Sequence, residues 1–79
     1  MKLPRTISGV TLAKMLEKYG YLITRQSGSH IRLTTQLSGQ HHITIPNHDP
    51  LKVGTLSSIL NAVSERFLKT KEDIIDDLF

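Results

Sequence analysis

Apolar residues recur along this chain with two different periods. Over residues 8–19, Leu12, Met15, Leu16 and Tyr19 fall at i, i+3, i+4 and i+7, one stripe of an amphipathic helix. Ser8 or Thr11 can cap its start, and Gly20 can stop it. Residues 21–26 are rich in β formers and too few for a helix, and Ser27-Gly28-Ser29 breaks the chain after them. From residue 30 the period drops to two. Ile31, Leu33 and Leu37 share one face with Thr35, against His30, Arg32, Thr34 and Gln36. Over residues 41–45, Ile43 and Ile45 form one face, with His41, His42 and Thr44 assigned to the other.

Residues opposed across a hairpin share a face, so apolar must meet apolar. Leu33 opposite Ile45, with Thr35 opposite Ile43, satisfies this through a three-residue turn at 38–40. The face away from the core is then polar. Pro46 should end the last strand, since it donates no ladder hydrogen bond, and Asn47-His48-Asp49-Pro50 should form a tight loop. The helical period resumes at Gly54-Thr55 with Leu56, Ile59, Leu60 and Val63, extended by Phe67. Thr70 opens a last short helix, with Asp73 three residues on and Ile74, Ile75 and Leu78 as its apolar side. The expected fold class is α+β, in the order α-β-β-β-α of a double-stranded-RNA-binding domain. A three-stranded antiparallel sheet carries the helices on one face, and a short C-terminal helix follows. Residues 1–79 read as a single domain.

At 79 residues, with 38% hydrophobic and 22% charged side chains, the chain can fill one small core and is not a disordered tail. It has no cysteine, so neither a disulfide framework nor a thiolate zinc site can support the fold. No apolar run approaches the roughly 18 residues of a membrane span, and the first residues do not resemble a signal peptide. A cytoplasmic protein without a membrane partner is expected. The charge is lopsided. Residues 1–54 hold seven Lys or Arg against two acids, a net +5, whereas residues 55–79 hold three against five, a net −2. A basic body with an acidic tail suits a polyanionic partner.

His30 is the first candidate for chemistry. It follows Gly28-Ser29 at the start of a strand and should point away from the core, on the side of Arg32. A neutral imidazole can take the proton of a ribose 2′-hydroxyl while a neighbouring cation stabilises charge on the phosphate. Ser27-Gly28-Ser29 offers backbone amides nearby. Lys52-Val53-Gly54-Thr55 joins a lysine to a helix N-terminus, a site for an anion. His41, His42 and His48 invite a metal reading, but adjacent strand residues point to opposite faces and no third ligand has a recognisable spacing. Neither a metal nor a small-molecule cofactor is expected.

Three stretches, in order, resemble the HicA (YcfA-like) family of ribonuclease toxins from toxin–antitoxin systems. Gly28-Ser29-His30 looks like that family's GSH motif, Ile45-Pro46-Asn47-His48 like its V/I-P-x-H segment, and Leu51 to Leu60 like its L-x-x-GTL-x-x-IL helix start. The opening Ser8-Gly9 helix and Tyr19-Gly20-Tyr21 fit as well, so the resemblance spans roughly residues 5–63. Gln26-Ser27 depart from the family's Lys-Gly or second Gly before the GSH, so one phosphate contact is either missing here or supplied by Arg25. The resemblance implies a double-stranded-RNA-binding-like fold and a metal-independent endoribonuclease that cleaves mRNA with one catalytic histidine, His30. It also implies inhibition by a HicB-type antitoxin and a place in stress response. Candidate RNA contacts are Gly28, Ser29, Arg25, Arg32, His42, His48, Lys52, Gly54 and Thr55. The alternatives are a non-catalytic RNA-binding module of the same fold, or a protein-binding domain that uses an open sheet edge.

Overall fold

A computed structural model describes residues 3–4, 6–37 and 39–79. Ser8 caps α1 (Gly9–Met15), its hydroxyl accepting from the Thr11 amide at 3.1 Å. The last turn tightens into a 3₁₀ segment, Leu16–Tyr19, before Gly20 at φ +79° turns the chain away. A side chain at Gly20 would also lie 2.8 Å from Leu37 and from the Thr35 hydroxyl, so the position needs glycine twice over. Three strands follow, β1 (Leu22–Ser27), β2 (His30–Thr35) and β3 (His41–Pro46), paired antiparallel in the order β1-β2-β3. Then come α2 (Val53–Phe67) and α3 (Lys71–Leu78).

Both main helices lay their apolar stripes on one face of the sheet. Leu12, Leu16, Leu56, Leu60 and Val63 meet Ile31, Leu33 and Ile45 there, every one of them almost fully buried. Thr35 is the polar member of that face. It is fully buried and donates to the Tyr19 carbonyl at 2.8 Å while accepting from the Leu37 amide at 3.2 Å, so its hydroxyl is satisfied.

The hairpin register corrects the expectation. Leu33 faces Ile43 and Ile31 faces Ile45, so Thr34 pairs with His42 and Arg32 with Thr44. The parity of faces is as argued, but the pairing is displaced by two residues and the connection runs from residue 36 to residue 40. The bonds of Thr35 supply the reason. They tie β2 to the 3₁₀ segment and turn the chain immediately, so Leu37 leaves the sheet and stays 51% exposed instead of joining the core. Ser38, within that connection, lies outside the described residues, as do the charges of Lys2 and Arg5.

The segment after residue 64 is built into the fold. Thr70 caps α3 by accepting from the Asp73 amide at 3.1 Å, and Ile74, Ile75 and Leu78 enter the common core. Asp77 fastens α3 to the 3₁₀ segment. Its carboxylate accepts from the Tyr19 hydroxyl and from Lys69 at 3.1 Å, and its carbonyl accepts from Lys18 at 2.5 Å. Those two carboxylate bonds hold Asp77 below its usual pKa, and burial with the Asp77 contact raises that of Tyr19. Glu72, Asp73 and Asp76 remain in solvent.

Candidate nucleic-acid interface

β1 and β2 meet through the two-residue turn Gly28-Ser29. Gly28 has φ +56°, the glycine-first geometry of a tight hairpin. The turn sets His30 as the first residue of β2, between Ser27 on β1 and Pro46 on β3, and His30 is exposed. The alternation then places Arg32 on the same outward face, two residues and about 7 Å further along the strand. A bulge between Ile23 and Arg25 puts Arg25 directly opposite Arg32. Like charges face each other there, and neither arginine has an acidic partner among the described residues. Opposed cations repel, so this pairing is more comfortable with an anion across it.

The end of the sheet that carries His30 gathers other candidates. The Asn47 amide donates to the Ser29 carbonyl at 2.6 Å, tying the 47–50 loop to the β1–β2 turn. The His48 carbonyl accepts from the Gly9 amide at 2.9 Å, so its backbone holds the start of α1 while its ring is exposed. The Leu51 amide donates to the Ile7 carbonyl at 2.8 Å, and α2 opens just beyond, at this same end. Lys52 caps α2 through backbone alone and is exposed, and no acid sits in the first helical turn. Gly54 has ordinary helical geometry with open space where a side chain would be, so nothing inside the fold demands glycine. What the choice leaves is an unobstructed approach to free amides at the positive end of a 15-residue helix.

Two histidines behave differently from this group. His42 is on the outward face, but its Nδ1 is bonded to the Thr34 hydroxyl at 2.8 Å, and Thr34 in turn to the Thr24 hydroxyl at 2.9 Å. It keeps only Nε2 for a ligand. His41, assigned to the polar face from the sequence, lies instead on the side of Ile43 at the opposite end of the sheet, since strand neighbours alternate. Its Nδ1 shares a 2.8 Å hydrogen bond with Tyr21, which is fully buried. Burial, then Arg66 and His42, lowers the His41 pKa, and burial pushes Tyr21 up to about 12. Sequence reasoning missed the threonine chain, and it missed an apolar groove beside it, because both depend on which strand residues become neighbours.

A family model described as the HicA toxin of bacterial toxin–antitoxin matches residues 10–64. The chain belongs to the HicA toxin family. Neither a curated protein nor a solved structure matches it. The matched span of this HicA-family protein runs from α1 through most of α2, so it contains the hairpin turn, His30, the 47–50 loop and the start of α2. It excludes all of α3. Membership implies a cognate antitoxin as partner. No described helix is long and apolar enough to cross a membrane.

Proposed function

We propose that this HicA-family protein is a cytoplasmic endoribonuclease that cuts mRNA without a metal ion, with His30 as its catalytic group, and that a HicB-type antitoxin restrains it by covering that residue. The observation that carries the reading is the outward row itself, an unburied imidazole at a hairpin turn next to two cations that lack acidic partners among the described residues.

The chemistry follows from that row. A phosphodiester lying across Arg25 and Arg32 has its charge balanced there, and its neighbouring 2′-hydroxyl falls towards His30. The imidazole removes the hydroxyl proton as the 2′-oxygen attacks phosphorus. The bond from phosphorus to the 5′-oxygen breaks, and the departing oxygen takes a proton from the imidazolium or from water. The products are a 2′,3′-cyclic phosphate and a 5′-hydroxyl. The free amides of Gly28-Ser29 and of Gly54-Thr55, with Lys52, hold adjacent phosphates of the same strand. The exposed rings of His42 and His48 add contacts at its edges.

A non-catalytic RNA-binding module is the second reading. It is favoured by the ladder partners of His30, because neither Ser27 nor Pro46 titrates near neutrality, and the imidazole has no second acid–base group beside it on the sheet. Incubating the protein with a defined mRNA fragment in EDTA decides the matter. The expected outcome is cleavage with cyclic-phosphate ends. Binding without cleavage leaves the module. Cleavage only on adding Mg²⁺ or Mn²⁺, with 3′-hydroxyl ends, removes the histidine mechanism.

A further inference from the structure

The outward face of the sheet has a second feature at the end away from His30. Gly20, Leu22, Thr24, Thr34, Gln36 and Leu37 line an open groove of about 280 Å³. Its walls are aliphatic. Leu22 is 61% exposed and Leu37 is 51% exposed, two large side chains that the core does not take. Its floor is polar only in name, because the hydroxyls of Thr24 and Thr34 bond each other and Thr34 also bonds His42. A nucleobase would ask such a site for an aromatic platform or for free donors and acceptors. Among the described lining residues there is no aromatic ring, and Gln36 brings the one amide side chain. An apolar side chain asks for nothing the groove lacks. Next along the face, one step towards His30, is the opposed pair Arg25 and Arg32.

We propose that this groove anchors the cognate antitoxin, which seats one apolar side chain between Leu22 and Leu37 and sets carboxylates on Arg25 and Arg32. The aliphatic walls select a protein side chain over a nucleobase, and continuity with the arginine pair adds charge complementarity to an acidic segment of that protein. Thr34 lies four residues from His30 on β2, about 13 Å of strand, so one partner segment lying along the face fills the groove, crosses the arginines and covers the histidine. A standard interface takes about 800 Å² from each partner, and this chain offers 4841 Å² in all, so an interface of that size spans the distance. The inference rests on the antitoxin half of the proposed function and not on its chemistry. The anchor touches none of the reacting atoms, so inhibition and RNA cleavage become separable by mutation.

The test measures antitoxin affinity by calorimetry, with cleavage of a defined mRNA fragment followed in parallel without antitoxin. Variants are Leu22→Ala/Leu37→Ala, the conservative Leu22→Ile/Leu37→Met, and Leu22→Lys alone, all checked for fold by circular dichroism. Loss of a buried anchor should weaken the antitoxin about thirty-fold or more, the size of an interface hot spot. RNA cleavage should stay within about twofold, the scatter of a surface substitution, and the conservative pair should recover most of the affinity. Should the double variant fail to fold, Leu22→Lys at its exposed position gives the same readout. Unchanged affinity in a folded variant overturns the proposal, as does a wild-type chain that does not bind the antitoxin. A parallel fall in RNA cleavage assigns the groove to RNA and overturns it too. If wild type never cuts RNA yet the groove variants still lose the antitoxin, the ribonuclease reading fails and this one stands.

Discussion

His30 and His41 stand at opposite ends of the same ladder, one paired with Pro46 and the other with Thr35. Around His41 the polar groups are spent inside the protein. Its ring bonds a fully buried tyrosine, and both Tyr19 and Tyr21 pack against Phe67, at 5.0 and 6.1 Å between ring centroids. Asp77 closes the layer beyond, with bonds from Tyr19, Lys69 and Lys18. Around His30 the side chains are left unspent. The ring is in solvent, the arginines beside it face each other, and the α2 amides have no side-chain cap. One residue type thus serves as structure at one end and as available chemistry at the other. The difference is made by neighbours and not by the imidazole.

The sharpest way to break this contrast is to remove each ring in turn. His30→Ala should lower RNA cleavage by about 10²–10⁴, the range for loss of one acid–base group, and leave the melting temperature close to wild type. His41→Ala should do the reverse. It strips the buried Tyr21 hydroxyl of its partner, a cost of about 1–3 kcal/mol in stability, while the folded fraction keeps its cleavage rate. Cleavage assays alongside thermal melts separate the two. Comparable activity losses from both substitutions would erase the distinction between the ends.

Much of this contrast was legible in the sequence, and the rest was hidden for definite reasons. The outward position of His30 and Arg32 follows from strict alternation after Gly28-Ser29, and the structure places them so. The helix stripes, the Ser8 cap and the Thr70 cap are local signals and appear where expected. The register does not follow from the sequence, because parity admits a three-residue or a five-residue connection equally. A bond from Thr35 to Tyr19, sixteen residues away, decides between them. The same blindness to distant partners hid the pairing of His41 with Tyr21, and it hid the groove that forms once Leu37 is turned out of the sheet. The role of each site residue is chemistry, which position alone does not supply.

A second test concerns what the paired end leans on. α3 lies beyond the matched residues 10–64, yet Ile74 is fully buried in the core shared with α1 and α2. Ile74→Ala should cost about 2–5 kcal/mol. A domain of this length has a total near 4–12 kcal/mol, so the variant should melt far below wild type in a denaturant or thermal titration. Below its melting point it should still cut RNA, since the groups gathered around His30 come from the hairpin turn, the 47–50 loop and the start of α2 and none of them from α3. A loss under about 1 kcal/mol would mean that α3 is an appendage and that the paired end is held by α1 and α2 alone.

The smallest expected effect is also the most specific to His41. Burial first, then Arg66 and His42, hold its pKa below the ordinary 6.5 when the protein is folded. The groups facing it are the Tyr21 hydroxyl and ring before β1, Arg66 on α2, and His42 beside it on β3. The unfolded chain therefore takes up this proton before the folded chain does. The stabilising contribution is complete above about pH 6.5 and is lost as pH falls through the lowered folded value. The surroundings agree in sign, since a proton on the ring adds a partly buried cation beside Arg66. The other four shifted groups act elsewhere. Asp77, held below its ordinary value, costs stability only in more acidic solution, and Tyr19, Lys69 and Tyr21, the last pushed up to about 12, only in alkaline solution. Between pH 7 and 5 the melting temperature should fall in the wild type and fall less steeply in His41→Gln, which cannot be protonated. Equal slopes in the two proteins over that window would show that the Tyr21–His41 bond does not set the stability of this end of the sheet.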